Sequence, residues 1–230
     1  MYRFKSILFK SILVLLGCSA TLLWGAVAQE ELPQGGTVRI ALPAQPETFN
    51  PVLIGELSSS IVNGALFAPL TAQHPETFAI EPYLAERWEP SDDLMSWTFY
   101  LRQDALWHDG EPITAEDVKF TFDRIIDPDE NAQGFADMGN LERVEVIDTH
   151  TVRFVLRDVD GMFPDRLALG SLQPLPKHIL EGYERLSDAV EFNTQRPVGS
   201  GPFKMREAET GSHVELERFD DFFLGRPNVD

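Results

Sequence analysis

The 230-residue sequence predicts an α+β fold, mixed α/β in its elements, and three observations carry that expectation. Apolar residues alternate with polar ones over short runs, the period of half-buried strands. Few stretches keep a helical period for long. The chain also carries 16 prolines and 16 glycines, so its elements are short and separated by turns.

Taken in order, GGTVRIALPAQPETFNP predicts a strand over 37–42. Val38, Ile40 and Leu42 alternate with Thr37, Arg39 and Ala41, and a Pro/Asn-rich loop ends the run. SSSIVNGALFAPL predicts a helix capped by Ser58–Ser60, with Ile61, Ala65 and Leu66 at helical spacing. Residues 77–107 hold short strand-like runs. In the clearest, Trp97, Phe99 and Leu101 face one way and Thr98, Tyr100 and Arg102 the other. RVEVIDTHTVRFVLRD predicts a hairpin turning at Asp148-Thr149-His150. A loop-rich segment with a helical turn follows at 162–180, and 198–219 predicts a Gly-rich entry into two further strands.

The composition, 43% hydrophobic and 24% charged, supplies ample material for a core. The formal net charge is −18, and such an acidic surface repels phosphate backbones, which argues against nucleic-acid binding. The N-terminus has the form of an export signal over 1–28. Arg3, Lys5 and Lys10 precede or flank an apolar run, short for a membrane span, that ends at Ala26-Val27-Ala28, a small-x-small cleavage pattern. The single cysteine, Cys18, lies inside this segment, where LLGC resembles a lipoprotein signal; anchoring there is the alternative to free release. Either way the mature chain has no disulfide, cysteine nucleophile or thiolate metal site. Export without disulfides suits a bacterial periplasm.

WHDGEPITAEDVKF (107–120) concentrates the groups that chemistry would need: His108, Asp109, Glu111, Glu116 and Asp117. Helix initiation accounts for most of them. Thr114 and Asp117 have the spacing of a capping box, with the Thr114 hydroxyl placed to take a free backbone N–H of the first turn. Ile113 and Val118 occupy the two positions of a hydrophobic staple. Glu116 and Asp117 sit where the helix dipole favours negative charge. Val118, Phe122, Ile125 and Ile126 make the buried stripe. His108 has no histidine partner one helical turn on, so no metal site is expected. The turn VGSGPFK lacks the Ser/Thr after Lys204 that a phosphate loop requires, and Val198 and Pro202 stand where a serine elbow needs glycine two residues either side of Ser200. The histidines (His74, His108, His150, His178, His213) are expected at the surface or in loops. Trp88, Trp97 and Trp107 are expected in the core rather than on a ligand.

Four segments in order carry a resemblance. WTFYLRQDALWHDGEPITAEDVKFTFDRI is similar to the signature of the family 5 extracellular solute-binding proteins, the peptide- and nickel-type receptors of ABC importers. EPYLAERWEPSDD resembles that family's Pro-x-Leu-Ala-x-x-Trp element. PVGSGPFKM resembles its Val-Gly-Thr-Gly-Pro-aromatic turn, with Ser200 in place of Thr. ERFDDFFLGRPNVD resembles the aromatic-Gly-x-Pro segment after it. The resemblance runs from about residue 36 to the end.

What the resemblance implies is a periplasmic-binding-protein-like lobe. Family members are bilobal and close two lobes on a ligand. Residues 29–67 and 174–230 would form the core of lobe I, with 68–173 as an inserted subdomain, and the second lobe is expected beyond Asp230. The protein would capture peptides or similar small solutes in the periplasm as a monomer. It would deliver them to an ABC transporter permease and ATPase complex, without cofactor, metal or chemistry of its own. By position, LIGELSS (53–59) corresponds to a pocket-lining segment. Gly55 would permit close backbone approach, Glu56 would meet a cationic group, Leu57 stands beside them, and Ser58 offers a hydroxyl. Two rival readings are an exported hydrolase or metal-dependent enzyme built on His108, Asp109 and Glu111, and an exported interaction domain.

Overall fold

A computed structural model describes residues 34–230, so the export segment and Cys18 lie outside the described residues. In chain order, α1 (Leu57–Leu66) precedes a short hairpin of β1 (Thr71–Gln73) and β2 (Ile80–Pro82). β3 (Ala85–Pro90), β4 (Ser96–Leu101) and α2 (Ala115–Ile125) follow, then β5 (Leu141–Asp148) and β6 (Thr151–Leu156). The short helices α3 (Phe163–Arg166), α4 (Lys177–Leu180) and α5 (Val190–Thr194) lead to a last hairpin, β7 (Phe203–Glu209) and β8 (His213–Arg218). The central sheet is antiparallel in the order β3-β4-β6-β5, and the other two sheets are the hairpins. The expected α+β mixture is thus the observed one.

Alternation decides which face of the sheet is buried. Trp97, Phe99 and Leu101 of β4 point inward, as their spacing predicts, and Val152, Phe154 and Leu156 of β6 join them. α2 lays its stripe of Val118, Phe122 and Ile125 on that face, all fully buried. Phe122 meets Phe154 edge-on at 4.9 Å between ring centroids, and Phe154 meets Phe99 at 5.4 Å. Each such ring contributes about 1.5–3 kcal/mol by leaving water. One continuous core runs from Phe49 and Val52 through Leu84 and Trp107 to Phe192. Among the described residues no helix is long and apolar enough to cross a membrane.

Three expectations need correction. Residues 37–42 form no strand: Val38 and Ile40 are 66% and 68% exposed. The alternation is real, but a strand requires a ladder partner, and none of the described strands pairs there. α1 starts at Leu57, with Glu56 rather than Ser58–Ser60 as its N-cap, because a carboxylate with two oxygens accepts both leading N–H groups. Its buried residues are Ser58, Ser59, Val62, Asn63 and Leu66, while Ile61 turns outward at 39% exposure. The α2 cap also differs in detail. The Thr114 hydroxyl donates to Asp117 Oδ2 (3.0 Å), and the same oxygen accepts the Thr114 N–H at 2.8 Å. Asp117 Oδ1 accepts the Lys177 N–H (2.9 Å), which ties α2 to α4.

Candidate functional site

Two of the motifs meet in space. His108 Nδ1 accepts the Gly199 N–H (3.1 Å) and Nε2 donates to the Gly201 carbonyl (3.0 Å), while the His108 N–H donates to the Gly199 carbonyl at 2.8 Å. This pattern requires the neutral imidazole with its proton on Nε2. Burial pushes the His108 pKa down to about 4; Lys204 adds to that push, and the Gly201 carbonyl and Asp109 oppose it. His108 does lie in a turn, as expected of a loop histidine, but it is half-buried and serves as a backbone clip rather than a free surface group.

The clipped turn in its turn caps α1. The Ser200 and Gly201 N–H groups both donate to the Leu66 carbonyl (2.9 and 2.8 Å), one of the acceptors a helix end leaves open. The buried Ser200 hydroxyl accepts the Ala68 N–H at 3.0 Å. Glycine is obligatory at both flanks, since a Cβ would stand 1.9 Å from the Leu66 oxygen at Gly199 and 2.4 Å from the Ala65 oxygen at Gly201. Asn50 and Asn193, a buried pair joined at 3.0 Å, hold the other end of this region. Asn50 Oδ1 accepts the Val52 N–H and so sets the turn into 53–56. Neither the His108 clip nor this asparagine pair leaves a signature in the sequence, because each joins residues far apart in the chain.

At the head of α1, Gly55 and Leu57 are exposed, Leu57 at 64%. Glu56 is half-buried between them. Its carboxylate accepts the N–H groups of Ser58 (2.5 Å), Ser59 (2.8 Å) and Glu47 (3.2 Å). Desolvation pushes the Glu56 carboxyl up, but the Ser59 hydroxyl and these N–H groups outweigh it and hold it below the usual carboxylate range. Ser58 is buried, and its hydroxyl accepts the Ala44 N–H (3.2 Å). Ser59 likewise takes the N–H groups of Glu47 and Thr48. Gly55, Glu56 and Leu57 thus form the accessible surface at this end of α1, with Ser58 behind them bracing the 44–48 loop.

His108, Asp109 and Glu111 do not converge. Asp109 Oδ1 accepts the Glu111 N–H in a tight turn and Oδ2 lies 2.8 Å from His178 Nε2, while Glu111 is exposed. Among the described residues, the one group placed to hold a metal is Glu207, His213 and Glu215, which includes none of the three. Trp97 and Trp107 are core, and Trp88 stacks on Phe99.

Comparison with known proteins bears on the same elements. The chain is 33% identical over 199 residues to the oligopeptide-binding protein AppA of Bacillus subtilis (strain 168), covering 86% of this chain and 36% of AppA. It is 32% identical over 230 residues to the probable ABC transporter periplasmic-binding protein SapA of Escherichia coli (strain K12), covering 88% of this chain and 41% of SapA. The structure of Bacillus subtilis AppA in complex with a nonapeptide superposes with a TM-score of 0.79 at 33% identity, covering 86% of this chain and 39% of that one. The chain thus spans about two fifths of the length of these relatives. The family model for bacterial extracellular solute-binding proteins, family 5, matches residues 79–230. With its central sheet, α2 and last hairpin all inside that match, the chain belongs to the family 5 bacterial extracellular solute-binding proteins.

Proposed function

We propose that this chain is part of the substrate-binding component of an ABC importer, taking up peptides or similar small solutes in the periplasm. The observation that carries the reading is the likeness to AppA in both sequence and fold, since the matching AppA structure holds a nonapeptide. The chain supplies one wall of the cleft. Residues 29–67 and 174–230 make the core of a lobe, 68–173 an inserted subdomain, and the facing wall lies in the part of the relatives that this chain does not span. Gly55, Glu56 and Leu57 face the solute at the head of α1, and the buried Ser58 braces them through the Ala44 N–H. Glu56 keeps a negative charge there while serving as the cap, which suits a cationic amine. Residues 1–28 direct export, and the protein works as a monomer with the permease and ATPase subunits, which carry out all chemistry.

The test is ligand-observed NMR of the purified chain with pooled peptides, run beside turnover assays on ester, peptide and glycoside substrates with and without chelator. Saturation transfer to peptides with no turnover is the expected result. Turnover that His108→Ala or Asp109→Asn abolishes, with no peptide signal, would replace the receptor reading by the hydrolase one.

A further inference from the structure

We propose that the outward face of the β7–β8 hairpin is a divalent-cation site formed by Glu207, His213 and Glu215. The register pairs Glu207 with Glu215 and Glu209 with His213, with Ala208 opposite Val214 between them. Because side chains alternate along a strand, three carboxylates and an imidazole share one face, while Ala208 and Val214 pack against the core on the other. One ligand atom from each of Glu207, His213 and Glu215 lies within 4.8 Å of the other two. A modest rotation of exposed side chains brings them onto one ion.

The local chemistry favours a cation. Two carboxylates directly opposite each other across a ladder repel, and a shared cation removes that repulsion. Arg206, displaced where the register shifts between Met205 and Glu207, donates to Glu215 Oε1 at 2.8 Å, a contact that an ion on Glu215 would share or displace. His213 Nδ1 has Ser212 Oγ at 3.0 Å and Glu209 Oε2 at 3.5 Å, the kind of contacts that orient a metal-bound imidazole. Mixed imidazole and carboxylate donors select zinc, nickel or copper(II) over magnesium or calcium. The hairpin tip is also tied to the loop beside α1, since the Gly211 N–H donates to Gln45 Oε1 (2.9 Å) and Ala44 is held by Ser58. A cation here would therefore firm the loop that supports the head of α1.

The experiment is isothermal titration of the tag-free chain with zinc chloride, with magnesium chloride as the control, on wild type, His213→Ala and Glu207→Gln. All three side chains stand outside the core, so both variants should fold, which circular dichroism would verify. The expected result is one zinc per chain, no magnesium binding, and affinity reduced about tenfold or more in each variant. No zinc binding up to millimolar concentration, or binding unchanged in both variants, would overturn the site.

Discussion

His108 has both ring nitrogens committed to the backbone of the 199–201 turn, and that makes it a proton-sensitive joint. Its folded-state pKa, about 4, lies below the ordinary 6.5, so the unfolded chain binds the extra proton first as pH falls. The clip's contribution is complete above pH 6.5 and declines through the window from 6.5 to 4. The loss is on the order of 3 kcal/mol. Urea unfolding of wild type at pH 7.5 and 4.5 should show the drop, and His108→Gln should remove this part of the pH dependence. Gly199→Ala is the steric counterpart. Its new Cβ would fall on the Leu66 carbonyl, so destabilisation of more than about 3 kcal/mol, or no folded protein at all, is the expected outcome in thermal melts. None of this could be read from WHDG or VGSGPF alone. Each motif was conspicuous, but a hydrogen bond across 91 residues leaves no local pattern.

At the scale of elements, local patterns read well and non-local ones did not. The staple residues Ile113 and Val118 are buried as predicted, and the alternation of β4 and of the β5–β6 hairpin fixes the same faces in the structure. The 37–42 run misled because alternation describes a strand's faces, not its partner. The start of α1 misled because glutamate is not among the preferred caps, so the serines looked the better choice. The α2 cap yields a graded prediction. Thr114→Ala removes one hydroxyl bond and should cost about 1 kcal/mol. Asp117→Ala should cost more, on the order of 2–3 kcal/mol, because it frees the N–H groups of both Thr114 and Lys177 in a buried setting. Chemical denaturation of the two variants side by side checks the order.

Over the whole molecule, distant segments are joined by a few buried polar ties as well as by the core. Glu130 is 5% exposed; it pairs with Arg124 and accepts the Leu186 N–H at 2.9 Å, while Arg124 also donates to the carbonyls of Tyr183 and Glu184. Glu130→Ala would leave that guanidinium and N–H short of a partner, and a loss of about 3–5 kcal/mol in unfolding free energy is expected. These ties fasten residues 124–130 to residues 183–186. A single wall of a cleft, however, offers roughly half the contact of a closed site. Halving a binding energy of about 8 kcal/mol moves affinity from micromolar to millimolar. Residue-resolved NMR of the labelled chain titrated with pooled short peptides decides whether this chain is a receptor wall whose solute meets the head of α1. Fast-exchange, millimolar shifts concentrated at residues 55–58 are expected. Micromolar binding by this chain alone, or shifts confined to residues 108–117 with the head of α1 unmoved, would contradict that reading.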